Sequence, residues 1–383
     1  MAPSDFTPNY PPASQGAGTA PAPAPAPAKI RLEHTPGGFG GLWVTFIVTV
    51  ILSTLTLTIY RFWGVTKIRA HLWSRVKLLG DAFEYTGTGW ELFIGFVKVV
   101  FLFILPVALV ISALNFAFQS MGWFTLEQIV GFLTAIGFYW IFEVAVFLRF
   151  RYRANRTSWR GIRARVSGSA THFASRALLL AAGVALTGGI LYPFAHAYFM
   201  RYKLNALSFG GLQVRSTFSS RAIYGTFFLS AITGVILAML IAAWTFTILF
   251  AGNDPLFLSI PDTGPSGLGS LINILMIPAI FLPFAWYWAE FYRKAAKSVW
   301  IGEEKIDVSY NVTGWRLVRY FCGNWAIIIF SLGLLWPLTW LRKIDLICEC
   351  LTINKELPIE EMMQEAHDPT RVGEELAGGF EIV

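Results

Sequence analysis

Charge is what this chain has least of. Asp, Glu, Lys and Arg make up 14% of its 383 residues, against about a quarter in soluble globular domains, and that scarcity excludes an ordinary water-soluble fold. Cysteine is also scarce: Cys322, Cys348 and Cys350 are the only three, and their spacing makes neither a disulfide framework nor a zinc site. Cys348-Glu-Cys350 reads as two reduced thiols rather than a metal pair. The histidines at 34, 71, 172, 196 and 367 are scattered. No HExxH pair, GxxxxGK[ST] loop, GxGxxG after a strand or GxSxG elbow occurs. The sequence therefore assigns no catalytic residue, no metal and no cofactor, and the chain is not read as an enzyme.

What fills the chain instead is apolar. Hydrophobic residues are 55%, aromatic residues 16% and mean hydropathy is +0.56, values that belong to polytopic membrane proteins. Seven apolar runs are each long enough to span a hydrocarbon core of about 30 Å as a helix: Gly41–Trp63, Leu92–Phe118, Phe124–Leu148, Phe173–Phe194, Ile223–Ala251, Leu268–Trp288 and Phe321–Leu341. The Pro/Ala/Gly-rich start, with no basic n-region or cleavage site, reads as an extended tail rather than a signal peptide. The formal charge of +7 understates the basic excess beside the runs, because residues 355–383 hold two basic and eight acidic side chains. Such an excess fits positive-inside bias and anionic headgroups better than nucleic acid, so the expected partner is the lipid bilayer. No protein partner is identified.

The connections fall into two kinds. Those at 119–123 and 252–266 contain no Lys or Arg, whereas 61–91, 149–172, 195–222 and 289–320 are long and rich in both. Each long connection runs from an aromatic or proline cluster through a basic amphipathic stretch to a glycine. A short alternating segment follows: Phe83–Tyr85, Ile162–Val166, Leu212–Val214 or Ile306–Tyr310. Period-two alternation predicts strands. Tyr60 to Tyr192 is 132 residues, Tyr192 to Trp336 is 144, and Trp159-Arg-Gly161 recurs as Trp300-Ile-Gly302 after 141, which predicts an internal repeat.

Seven simple spans would split the four basic connections between two compartments, against the positive-inside rule, and would orphan strands too short to stand alone. The predicted fold is therefore an all-α polytopic membrane protein with two repeats of a re-entrant or interfacial helix plus a transmembrane hairpin, then a third half repeat. Runs 41–63, 173–194 and 321–341 are the re-entrant ones, and the short strands in the basic linkers can form a small cytoplasmic sheet. The expected divisions are a tail 1–40, repeat A 41–172, repeat B 173–320, half repeat C 321–354 and an acidic tail 355–383.

Intramembrane charges are functional candidates by default. Lys98 and Glu143 fall at similar depth on the two arms of the first hairpin, and read either as a coupling pair or, the better fit, as a snorkelled interfacial pair. The densest basic stretch, Arg149 to Arg165, holds seven arginines and no acid. Its Arg149, Arg151, Arg153, Arg156, Trp159, Arg160 and Arg163 are the candidate anionic-headgroup site, because guanidinium groups bind phosphates and aromatic rings favour the interface. A topology signal without a specific ligand is the plainer alternative. The functions left open are a non-enzymatic scaffold or lipid-interacting protein, which is preferred, and a transporter or channel.

The strings Tyr60-Arg-Phe-Trp63, Gly80-Asp-Ala-Phe-Glu-Tyr-Thr-Gly-Thr-Gly-Trp-Glu-Leu-Phe93, Arg156-Thr-Ser-Trp-Arg-Gly-Ile-Arg163 and Leu191-Tyr-Pro-Phe194 resemble domain-of-unknown-function family 898 across about residues 41–350. The resemblance implies a multi-pass protein of the bacterial inner membrane; by the positive-inside rule the basic linkers, and the C-terminal tail with them, are expected to be cytoplasmic. It implies no activity, substrate or catalytic residue.

Overall fold

The structure, a computed structural model, describes residues 30–251, 277–302, 304–305 and 308–353. Its organising element is an eleven-stranded antiparallel sheet: β1 (Ile30–His34), β2 (Val76–Leu78), β3 (Asp81–Tyr85), β4 (Thr157–Trp159), β5 (Ile162–Val166), β6 (Leu207–Phe209), β7 (Leu212–Ser216), β8 (Val299–Ile301), β9 (Glu304–Lys305), β10 (Val308–Tyr310) and β11 (Leu351–Ile353), in the order β10-β11-β1-β2-β3-β4-β5-β6-β7-β8-β9. The end strands β9 and β10 are two residues apart in the chain, so the sheet nearly closes on itself. One face is apolar: Ile30, Leu78, Trp159 and Ile162 are buried there with Leu32, Phe83, Phe209, Leu212 and Ile353 packed against them. The alternate positions Arg31, Glu33, Glu84, Arg163, Arg165, Gln213 and Arg215 are exposed, as period-two strands require.

Helices leave this sheet and return to it in five excursions. The first is α1 (Phe39–Leu55) and α2 (Arg61–Trp73). The second is α3 (Gly89–Val99), a π-helical stretch at Val100–Ile104, α4 (Leu105–Ser120) and α5 (Phe124–Asn155). The third is α6 (Ala170–Leu186) and α7 (Tyr192–Ala206), and the fourth includes α8 (Tyr224–Ala251) and α9 (Phe284–Ala296). The fifth is α10 (Gly314–Phe330) and α11 (Trp336–Cys350). In every one the last residue before the excursion pairs with the first residue after it: His34 with Val76, Tyr85 with Thr157, Val166 with Leu207, Ser216 with Val299 and Tyr310 with Leu351. One backbone hydrogen bond then closes each mouth, from the N–H of Thr35, Thr86, Ser167, Thr217 and Asn311 to the carbonyls of Arg75, Arg156, Ala206, Ser298 and Cys350, at 2.8–3.2 Å. All five excursions therefore leave one end of the sheet, and its tight turns lie at the other. Two of those turns, Leu79-Gly80 and Arg160-Gly161, have φ > 0 at both residues, as a two-residue hairpin loop matched to strand twist demands.

The excursions differ in reach. At 1.5 Å per residue, Gly89 to Ser120 extends about 48 Å, whereas α1, α6 and α10, with 17 residues each, reach their turns after about 26 Å. Three helices are long and apolar enough to cross a membrane: Gly89–Ser120, Phe124–Asn155 and Ser220–Thr247. In the first two, packing ends near Val99 and Ala145, and residues 101–120 and 124–142 are largely exposed apolar surface. Twenty such residues measure about 30 Å, the thickness of a hydrocarbon core. Pro106, which has no N–H to offer Leu102, accounts for the widened π turn at the start of that stretch.

The three short excursions share one five-residue turn at 56–60, 187–191 and 331–335. A hydroxyl opens it each time: Thr56, Thr187 and Ser331 donate to the carbonyls of Leu52, Gly183 and Ile327 and accept the N–H of Tyr60, Leu191 and Leu335. The N–H of Thr58, Gly189 and Gly333 reaches back five residues to Ser53, Val184 and Ile328, the C-capping bond of a helix end. The turn satisfies its own backbone, the condition for non-helical chain in an apolar medium. The side chains at these tips are bare, with Leu57 85%, Leu186 88% and Leu332 92% exposed.

Two corrections follow. The all-α reading is incomplete, because the expected small sheet is a nearly closed one that anchors every helix. The expected strands pair in it, although residues 306–307 lie outside the described residues. β1 occupies the end of the segment read as an extended tail; residues 1–29, 252–276 and 354–383, including the acidic tail, lie outside the described residues.

Candidate lipid-contact site

The basic residues of α2, α5, α7, α9 and α11 lie on the returning arms, between the exposed apolar stretches and the sheet. Lys98 is in the last turn of α3 and Glu143 stands where the packed part of α5 begins, both half-buried, so the two sit at the edge of the apolar zone. The Glu143 carboxylate takes a hydrogen bond from Tyr139 and acts electrostatically on Lys203 of α7. Burial, aided by Arg153, pushes the Lys203 ammonium below its ordinary value, and Glu143 opposes that shift. Its Nζ stands 5.6 Å from the Phe173 ring centroid. Sequence reasoning matched Glu143 with Lys98 by depth and missed Lys203, because only packing brings the second and third excursions side by side.

The seven candidate headgroup residues divide by position. Arg149 and Arg153 are half-buried near the end of α5. Arg151 donates to the Gly168 carbonyl and lies 5.3 Å from the Phe147 ring, tying α5 to the entry of α6. Arg156 pairs with Glu91 at 3.0 Å, and Tyr152 donates to the same carboxylate at 3.1 Å, which joins the end of α5 to the start of α3. The remaining three lie beyond the helix end on the β4–β5 hairpin: Trp159 and Arg160 about 10 and 13 Å along it, and Arg163, opposite Ser158, about 7 Å. Trp159 is 4% exposed inside the sheet and donates to the carbonyls of Leu78 and Asp81 at 3.2 and 3.3 Å. Arg160 pairs with Asp81 in the far turn, and Arg163 points outward on β5. These three therefore lie on the sheet rather than on the helices, with Trp159 packed inside it.

The structure brings together a further group that sequence reasoning did not single out. Between α10 and α11, Arg316, Arg319, Tyr320, Arg342, Asp345 and Glu349 line a cleft of about 480 Å³. Its signal was visible as three arginines flanking the seventh apolar run. Close by, Cys348 and Cys350 are buried. Burial, with Asp345 second, pushes the Cys348 thiol up to about 11, and no group of three or more His, Cys, Asp or Glu able to hold a metal occurs among the described residues.

These features define a mostly helical protein with helices of membrane-crossing length mounted on one end of a nearly closed antiparallel sheet. The chain matches the family described as bacterial protein of unknown function, DUF898, over residues 35–379, nearly its whole length, and belongs to that family. No curated protein and no solved structure matches it.

Proposed function

We propose that the protein is a non-enzymatic scaffold of the bacterial inner membrane that engages anionic lipid in the cytoplasmic leaflet. The observation that carries this is the common mouth geometry: five excursions that start and end at one end of one sheet keep the whole sheet on one side of the bilayer. With the apolar zone starting at Phe101, about 18 Å above the start of α3, tips reaching about 26 Å enter the hydrocarbon by less than a third of its depth. They are re-entrant wedges in one leaflet. The basic residues beneath them, among them Lys67, Arg149, Arg153, Lys203, Lys294 and Arg342, lie between the tips and the sheet, which supports headgroup contact and, by the positive-inside rule, a cytoplasmic sheet. The alternation of short and long excursions supports the two sequence copies and the half copy after them.

The test is sidedness. Cysteines at Glu84 and Arg215, both exposed on the sheet, are to react with a membrane-impermeant maleimide only after the cytoplasmic face is opened. Seven simple spans would put the two on opposite sides, so labelling of either one from outside intact cells refutes the placement.

A transporter or channel is the second reading. It is favoured by α11 packing on α1, with Trp43 donating to the Leu334 carbonyl at 3.1 Å, which brings the last excursion back to the first around an axis. Loss of solute or ion flux in proteoliposomes on replacing Lys98 or Glu143 with Ala, with folding retained, would favour it.

A further inference from the structure

The cleft between α10 and α11 differs from its counterparts in the other short excursions. Counted from the N-caps Thr313, Ser169 and Gly38 and from the shared turns, Arg316, Arg319, Tyr320, Asn324 and Arg342 correspond to His172, Ser175, Arg176, Leu180 and Tyr198 in the third excursion. In the first they correspond to Gly41, Val44, Thr45, Thr49 and Lys67. A converging set of three arginines occurs only in the fifth.

Its charges do not cancel. Asp345 is held by His34 at 2.6 Å and Glu349 by Arg316, so both carboxylates of the cleft are engaged. Arg342 has a neutral partner, donating to Asn324 Oδ1 at 2.8 Å, with its guanidinium carbon 5.9 Å from the Tyr320 ring centroid. The absence of a side chain at Gly323 makes this possible, since a Cβ there would stand 2.5 Å from Arg342 Nη2. Arg319 is exposed and makes no ion pair or side-chain hydrogen bond among the described residues. Two guanidinium groups, one pre-oriented and one free to close, face a volume that accommodates a phosphate with its glycerol.

The level is right as well. Arg319 is six and Asn324 eleven residues beyond the N-cap, about 9 and 16 Å along α10, so the cleft spans the layer directly beneath the roughly 18 Å at which the bare apolar zone begins. We propose that this cleft binds a phosphate oxyanion, presented by the headgroup of an anionic phospholipid. The proposal rests on the membrane placement above and gives it one specific site.

The experiment uses the full-length protein purified in detergent. Native mass spectrometry counts retained phosphatidylglycerol or phosphatidylcholine for the wild type, R319Q, R319Q/R342Q and R342K, and thermal shift with inorganic phosphate forms a separate arm. The expected result is that R319Q/R342Q needs about tenfold more phosphatidylglycerol for the same occupancy, one charge-assisted contact's worth, while phosphatidylcholine retention is unchanged. R342K is expected to recover only part, because an ammonium lacks the planar fork. R319Q, at a position with no ion pair or side-chain hydrogen bond to lose among the described residues, separates ligand binding from folding. If the variants lose the stabilisation by inorganic phosphate but not phosphatidylglycerol retention, the oxyanion site stands and its lipid source is overturned. If wild type and variants behave alike in both arms, the cleft is not a site. A wild type that does not prefer phosphatidylglycerol to phosphatidylcholine at all refutes the wider lipid reading, whereas a wild-type preference that survives in R319Q/R342Q refutes the cleft alone.

Discussion

Asn155 Oδ1 accepts the backbone N–H of Val166 at 3.0 Å, eleven residues further on. Asn205 repeats the contact with Ser216 at 2.7 Å, again across eleven residues. Each asparagine sits two residues before a strand and locks a helix end to the far end of the following β-hairpin. Replacing Asn155 or Asn205 with Ala leaves a partly buried N–H without its acceptor, an expected cost of about 1–3 kcal/mol each. Asp, which keeps the acceptor oxygen, is expected to cost less. Thermal unfolding of the purified variants checks both.

The turn hydroxyls make a sharper case. Ser331→Ala removes the acceptor of the Leu335 N–H and the donor to Ile327, and Thr187→Val does the same at Leu191 and Gly183. Each change is expected to destabilise by about 1–3 kcal/mol, and Thr187→Ser by much less. If the tips lie in hydrocarbon, the loss is larger in lipid nanodiscs than in a solution where water reaches the turn, and comparing the two media measures it.

A pH effect is expected at the mouth of the first excursion. Arg75 Nε donates to His71 Nε2 at 3.1 Å, and the same arginine holds the Thr35 carbonyl at 3.0 Å. Burial first, then the Arg75 charge, lowers the His71 pKa below 6.5. A depressed histidine is neutral in the fold while the unfolded chain still binds a proton, so its contribution is complete above about pH 6.5 and shrinks as pH falls toward the folded value. His71→Gln, which retains an acceptor and cannot titrate, is expected to flatten that part of the stability curve between pH 7.5 and 5.5.

Thiol chemistry follows burial. Cys322 is exposed, whereas Cys348 and Cys350 are buried and both thiols are shifted upward, chiefly by desolvation. At pH 8 a maleimide is expected to modify Cys322 readily and the other two only on unfolding, which mass spectrometry of the labelled protein resolves.

The membrane-length helices and the basic returning arms were legible because both are local: twenty consecutive apolar side chains and clustered arginines need no tertiary context. The strands β3, β5 and β7 were legible through a glycine followed by three to five alternating residues. Their partners Val76-Lys-Leu78, Thr157-Ser-Trp159, Leu207-Ser-Phe209 and Val299-Trp-Ile301 were not, since they run on from a helix end with no glycine before them to mark a start. β1 was overlooked although Ile30-Arg-Leu-Glu-His alternates, because a Pro/Ala-rich segment precedes it directly. Trp159 looked interfacial for a related reason: composition does not distinguish a ring at the headgroups from one inside a sheet.

By itself, then, the sequence determined a membrane-type composition, the apolar runs and the clustering of basic residues in the linkers between them. These depend on hydropathy, helix length and charge, which are properties of neighbouring residues. The tertiary structure decided that five excursions share one mouth geometry, that Glu143 acts electrostatically on Lys203, that Trp159, Arg160 and Arg163 belong to the sheet, and that Arg316, Arg319 and Arg342 line one cleft. Those outcomes depend on hydrogen-bond register between strands as many as 323 residues apart, as for Ile30 and Ile353, and that register is fixed by pairing partners no local pattern names.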